Sequence, residues 1–363
     1  MKKKLVSMLL TGVVAVSMLA GCGGSDSSAT SASAETAKSG SAATSEASSA
    51  SETAESSATT SSADASSTSD TAAAGEKGLI AFIPPDMTSP YYQMIIDGAK
   101  PTAEKLGYEL DVQSPSTSTS YDEQVQILEN EINKGVKAIA ICTHDASSIL
   151  NGVQEANEAG IPVIVFNTLQ DLPSDDVDVY AYVGYDPWAG GVMAADYVAE
   201  KIGNKGDIAI LEGLEGYNNT ERIEGFQDEI AKKYPDINIV ASQPADWERD
   251  KGYTVAQNII QANPDVKAFF AASDEMAIGA AQAMKDGGID GIVTIGIDGN
   301  AATMDSINEG VTTASLDTDP YTIGVTSIEQ AVNAIDGKKL DDNKVIVQCF
   351  VVDSSNVKDY LQK

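Results

Sequence analysis

The stretch at residues 136–167, VKAIAICTHDASSILNGVQEANEAGIPVIVFN, decides the fold. Two apolar, β-branched runs, VKAIAI and PVIVF, enclose a segment in which Ile149, Val153 and Ala156 recur at helical spacing, and Gly160 and Pro162 end it. Strands this apolar are buried on both faces, which requires a parallel sheet covered by crossover helices.

Outward from this unit the same alternation repeats. From Lys77 the chain reads LIAFI and ELDV, and beyond a tyrosine-rich break at YAYVGYDPWAGG it reads DIAIL, INIVAS, VKAFFA and IVTIGI, with amphipathic segments between. In DEQVQILENEINKG, the apolar Val125, Leu128 and Ile132 are expected to share the buried face and Gly135 to stop the helix. The run is roughly twice what one sheet needs, which predicts two similar doubly wound α/β lobes.

The first part of the chain is of another kind. The sequence has 363 residues and a formal net charge of -31. Lys2, Lys3 and Lys4 precede the apolar LVSMLLTGVVAVSMLA, which ends in Leu19-Ala20-Gly21-Cys22. The LAGC box resembles the lipobox of bacterial lipoproteins, so residues 1–21 are expected to be a signal peptide and Cys22 the lipidated residue. Residues 22–75 are a Ser/Ala/Thr tract with scattered acids, expected to be a disordered tether between a lipid surface and the folded lobes. The acidic balance and the lack of a basic stripe argue against nucleic acid as a partner.

In doubly wound sheets ligands sit outside the carboxyl ends of the strands. TSPYYQ follows LIAFI and places Ser89, Tyr91 and Tyr92 at such an end. Asn167 and Thr168 follow PVIVF, Ser273 follows VKAFFAA, and Asp298 follows IVTIGI, while Arg222 and Trp247 lie beyond DIAIL and INIVAS. Aromatic faces, amides, hydroxyls, one carboxylate and one guanidinium suit a neutral polyhydroxylated ring. Each residue also has a plainer reading. The tyrosines could cap a core edge, Trp247 could be interlobe packing, Asp298 could be a turn or helix cap, and Arg222 could pair with Glu221.

Catalysis finds few residues to use. His144 is the single histidine, so a two-histidine zinc site cannot form, and neither a G-x-S-x-G elbow nor a phosphate-binding glycine loop occurs. Sugar hydrolysis needs two carboxylates facing the ligand, and Asp298 is the one strong candidate. No cofactor or metal is expected, and Cys142 and Cys349, both in apolar strand contexts, are expected to be free thiols.

From Lys77 to Lys363 the chain resembles the ribose- and galactose-type periplasmic sugar-binding proteins of ATP-binding-cassette (ABC) importers, through PYYQMIIDGAK, INKGVKAIAI, IPVIVFN, ERIEGFQ, SQPADWERDKG, SDEMAIGAAQAMK and GIDG. The resemblance implies sugar contacts from Tyr91, Tyr92, Arg222, Trp247 and Asp298, and aligns Thr318 with a hinge residue that is Gln or Asn in the family. It implies lobes of residues 76–184 plus 319–347 and 185–318 plus 348–363, joined at Gly184-Tyr185, Thr318-Asp319 and Val347-Gln348. Departures are also plain. Asn167-Thr168 stand where the ribose proteins have Asp-Arg, and Ser273 where they have Asn, while the calcium loop of the galactose members is missing at KIGNKGDIAI.

The expectation is a monomeric, lipid-anchored, extracytoplasmic protein that captures a neutral sugar, a hexose before a pentose, for a membrane permease. A sensor that presents the ligand to a membrane receptor or kinase is the alternative. A related repressor is excluded, because its helix-turn-helix would stand where the Ser/Ala tether is.

Overall fold

The computed structural model describes residues 76–361. The signal segment, Cys22 and the tract to residue 75 lie outside the described residues. Among the described residues no helix is long and apolar enough to cross a membrane.

Two six-stranded sheets form the fold. The first contains β1 (Leu79–Ile83), β2 (Glu109–Val112), β3 (Ala138–Ile141), β4 (Val163–Phe166), β5 (Ala181–Gly184) and β11 (Lys344–Ile346), in the order β11-β5-β4-β3-β1-β2. All its pairings are parallel. Alternate residues enter opposite core layers: Ile80 and Phe82 of β1 face one, Ala81 and Ile83 the other. The same alternation in β3 and β4 explains why the deciding stretch is apolar almost throughout.

The second sheet contains β6 (Gly206–Glu212), β7 (Ile237–Pro244), β8 (Val266–Ala271), β9 (Val293–Asp298), β10 (Ala314–Asp317) and β12 (Phe350–Asp353), in the order β12-β10-β9-β8-β6-β7. Here β12 runs antiparallel to β10. The connections supply the reason. After β5 the chain enters the second sheet through helix α4 (Pro187–Ile202), and after β10 it returns to the first through α9 (Pro320–Ile335); each helix carries the chain back before the next strand begins. After β11 no helix intervenes, so β12 starts beside the end of β10, with Phe350 opposite Asp317, and runs the other way.

Two details depart from the sequence pattern. AYVG, read as part of a break, is strand β5, and the chain leaves the sheet only after Gly184. In α2 (Tyr121–Lys134) the buried positions are Gln124, Leu128 and Glu131, with Val125 and Ile132 half-buried. The polar pair is tolerated because Gln124 Nε2 donates to Cys142 O at 2.8 Å and Glu131 meets Lys134 at 2.6 Å.

Helix α4 packs on α5 (Tyr217–Lys233), the helix that carries Arg222. Gly191 of α4 lies against the Arg222 carbonyl and Gly225 of α5 against that of Trp188, leaving no room for a Cβ on either side. This close approach fixes where the arginine begins.

Candidate functional site

The strand ends meet at one crevice of about 820 Å³. Its walls include Ser89, Tyr91, Tyr92, Asn167, Arg222, Trp247, Ser273 and Asp298.

Tyr91 and Tyr92 open α1 (Pro90–Leu106). Asp86 fixes the turn before them: its Oδ1 accepts from the backbone of Thr88 at 2.9 Å and of Ser89 at 2.8 Å. The two rings meet edge to face, 5.5 Å between centroids. Tyr91 is a junction: its hydroxyl donates to Asn167 Oδ1 at 2.7 Å and lies 3.1 Å from Thr318 Oγ1. Burial holds the phenol well above its ordinary range, so it stays protonated. Asn167 itself adopts a left-handed backbone, φ 59°, a conformation asparagine tolerates.

Arg222 and Asp298 form the charged centre. The Nη1 to Oδ1 separation is 3.5 Å, and the side chains are 4% and 9% exposed. Arg222 also donates to the Tyr185 hydroxyl and the Ala272 carbonyl, and its guanidinium lies 5.3 Å from the Tyr185 ring and 5.5 Å from that of Trp247. Burial disfavours its charge, but the oxygens of Tyr185, Asp298 and Tyr91 outweigh that and keep it cationic. Burial pushes the Asp298 carboxyl well up, and Arg222 draws it partly back.

Asp274 holds this centre in place. Its backbone N–H donates to Asp298 Oδ2 at 3.2 Å, while its own carboxylate accepts from Gly299 N at 3.0 Å, Asn300 N at 2.8 Å and Ser315 Oγ at 2.7 Å. The head of α7 (Asp274–Asp286) and the turn after β9 are thus tied in both directions. Burial pushes the Asp274 carboxyl up to about 6 against the pull of these donors.

Trp247 follows β7 in a left-handed conformation, φ 67°, next to Asp246 at φ 52°. Two successive non-glycine residues in this region cost conformational energy, and such strain collects where a side chain must be aimed. Its ring lies on Gly213 so closely that a Cβ there would overlap it.

Two sequence candidates stand apart. Thr318 is fully buried behind Tyr91, bonded to Tyr91 and to the Asp298 carbonyl. Thr168 lines a smaller adjoining cavity, and its Oγ1 accepts from Gln170 N at 3.1 Å. His144 is on the crevice wall, held below the usual imidazole range by burial. Cys142 and Cys349 are free, and burial pushes both thiols up to about 12.

Sequence reasoning missed residues 116–119, the hydroxyl-rich loop after β2, which lines the crevice. It also missed Asn218, one turn before Arg222 on α5, whose Nδ2 donates to Asn167 O at 3.0 Å. The spacing of four could have found Asn218, since it puts both residues on one helix face. At the rim Arg249 pairs with Glu275 at 2.8 Å, and Lys251 with Asp246 at 2.7 Å and Glu248 at 2.8 Å. Both rim cations are thereby engaged by carboxylates.

Two lobes facing across a polar, aromatic crevice define a protein that captures a small solute. The profile of the periplasmic binding protein domain family matches residues 80–339. The ribose import binding protein of Escherichia coli K12 is 34% identical over 283 residues, covering 76% of this chain and 93% of that protein. The D-allose-binding periplasmic protein of the same strain is 32% identical over 253 residues, covering 68% and 81%. A solved ABC transporter periplasmic solute binding protein from Actinobacillus succinogenes 130z, with bound D-allose, matches with a TM-score of 0.74 at 34% identity, over 78% of this chain and 99% of that one. The chain belongs to the periplasmic binding protein family, as a solute-binding protein of the ribose and allose type that serves ABC importers, and not as an enzyme.

Proposed function

We propose that this protein captures a neutral sugar, a hexose in preference to a pentose, and presents it to an ABC permease from a lipid anchor at Cys22. The observation that carries the ligand class is the charge balance of the crevice: Arg222 is offset by Asp298 at 3.5 Å, and both rim cations are paired. A phosphate or carboxylate would lack a free cationic donor. Hydroxyls suit the centre, because vicinal oxygens accept from the guanidinium and donate to the carboxylate, while the rings cover C–H faces. Trp247 offers a broad stacking face, and Ser273 on the crevice wall is a short side chain that leaves room for a larger ring. The ligand contacts in this reading come from Ser89, Tyr91, Tyr92, Asn167, Arg222, Trp247, Ser273 and Asp298; Thr318 supports Tyr91 from behind.

Capture proceeds by hinge closure of lobes 76–184 plus 319–347 and 185–318 plus 348–363 about the three crossings. The protein acts as a monomer. Calorimetric titration with neutral hexoses, pentoses, uronic acids and sugar phosphates tests the ligand class. Tightest binding to a neutral hexose, with weak dependence on salt, is expected; preference for a uronic acid or a phosphate contradicts the reading.

The anchor rests on the LAGC box and the polar tract behind it. Cys22→Ala is expected to move the protein from the membrane to the soluble fraction after cell lysis. Persistence in the membrane fraction removes Cys22 as the anchor.

A further inference from the structure

The chain itself joins the two sheets at three places, after β5, after β10 and after β11. A side-chain contact outside these crossings joins them as well. Asn218, in the first turn of α5 beyond β6 of the second sheet, donates through Nδ2 to the backbone oxygen of Asn167, which follows β4 of the first sheet, at 3.0 Å.

Both ends of this bond are held in place. The Asn167 N–H donates to Val183 O at 2.7 Å, its Oδ1 accepts from Tyr91 at 2.7 Å, and its left-handed backbone, φ 59°, sets the direction of its carbonyl. On the other side Gly213 N donates to Asn219 Oδ1 at 2.7 Å, which ties the head of α5 to the end of β6. Gly216, the residue before α5, has φ 147° and also approaches the half built on the first sheet: a Cβ on it would lie 3.2 Å from the carbonyl oxygen of His144, in the loop after β3. The head of α5 therefore meets the ends of β3 and β4 with little space to spare.

Such a bond exists only while the two halves are together. Hinge opening carries Asn218 away from Asn167, and both groups then turn to water. A hydrogen bond made in one of two states shifts the balance toward the state that has it, and this one needs no ligand atom.

We infer that Asn218 is a closing latch: its bond to the Asn167 carbonyl favours the closed crevice, and so sets how tightly any ligand is held without choosing among ligands. The inference rests on closure of the lobes and not on which sugar is bound. A ligand contact would behave differently, acting only when ligand is present and unequally on ligands of different shape.

The test places ketone-directed spin labels at Thr117 and Asp250, exposed residues on opposite walls of the crevice, in the full chain. Double electron–electron resonance then reads the distance between them without ligand and with D-allose or D-ribose at saturation. Asn218→Ala removes the donor. Without ligand, its short-distance fraction is expected to fall about threefold or more. Affinity for each sugar that binds is expected to fall by the same factor, because only the closed form completes the site. Asn218→Asp separates the latch from a part in folding. A carboxylate in the first turn of α5, which has no acid there, favours the helix, yet it sets an acceptor against the Asn167 carbonyl. Its melting temperature is expected to hold or rise while its closed fraction falls at least as far as in Asn218→Ala. Ligand-free distances unchanged in both variants overturn the latch and leave closure and sugar capture standing. So does an affinity loss that differs by more than about threefold between the two sugars, which makes Asn218 a ligand contact. Binding with no change of distance in the unaltered protein overturns closure itself, and the latch with it. The ligand-free comparison decides the latch even where neither sugar binds.

Discussion

Asp298→Ala is expected to abolish ligand binding and to lower the free energy of unfolding by about 3–5 kcal/mol, while Arg222→Met abolishes binding at a smaller cost in stability. The two partners differ in what they can do when left alone. The guanidinium cannot release its charge, so without Asp298 a buried cation keeps only the Tyr185 hydroxyl, the Ala272 carbonyl and two aromatic faces. A carboxyl can become neutral, and burial already pushes Asp298 well up. In Arg222→Met it takes up a proton and the buried charge disappears. The deficit of Arg222→Met should therefore shrink as pH falls, because protonation of Asp298 becomes easier. Urea unfolding of both variants at neutral and mildly acidic pH reads this directly. A deficit in Arg222→Met as large as that in Asp298→Ala contradicts the assignment.

The second large effect belongs to Asp274, which replaces nothing in the ligand but ties the head of α7 to the turn carrying Gly299 and Asn300. Asp274→Ala strips the acceptor from two buried N–H groups and the Ser315 hydroxyl, and is expected to cost about 3 kcal/mol or more. Asp274→Asn should cost far less, since an amide oxygen can accept from the two N–H groups and the serine hydroxyl can turn to accept from the amide nitrogen. The pH dependence has a definite sign. The folded carboxyl is raised from 3.8 to about 6, so its contribution to stability is fully present below the unfolded value and is lost as pH rises through about 6. Relative to Asp274→Asn, the native protein should lose up to about 3 kcal/mol between mildly acidic and neutral pH. Thermal melts of the pair across that range check it; a native protein that holds or gains stability relative to Asp274→Asn as pH rises contradicts it.

How far the sequence carried the fold depends on the kind of strand. VKAIAI, PVIVF and VKAFFA are buried on both faces and announce themselves by composition alone. The strands at residues 314–317, 344–346 and 350–353 did not, because each carries residues that periodicity treats as polar, and the strand at 181–184 was masked by the tyrosine- and glycine-rich stretch around it. Ser315 is fully buried in one of them, at home there because it donates to Asp274. Burial of Gln124 and Glu131 in α2 was hidden for a related reason: both are polar, and the position of Gln124 is interior through a tertiary partner, the Cys142 carbonyl, while Glu131 meets Lys134 of its own helix.

The crevice was legible where a residue follows a strong strand, as Tyr91, Asn167, Ser273 and Asp298 do. Strand-end logic could not separate Thr318, which lies behind Tyr91, from residues on the wall. Nor could it reveal Asp274, whose place in SDEMAIG reads as an ordinary first-turn acid of a helix. The left-handed backbone at Trp247 and the ring lying on Gly213 are likewise tertiary facts, although the pair explains why a glycine stands at the end of DIAILEG.

The most direct measurement is mass spectrometry of the small molecules released when the protein, purified under native conditions without added ligand, is denatured. The charge balance of Arg222 with Asp298 and the aromatic walls predict a neutral polyhydroxylated compound of hexose mass, in stoichiometric amount and absent from a sample carrying Asp298→Ala. Release of an amino acid, a phosphate ester or a carboxylate in that amount would contradict the account.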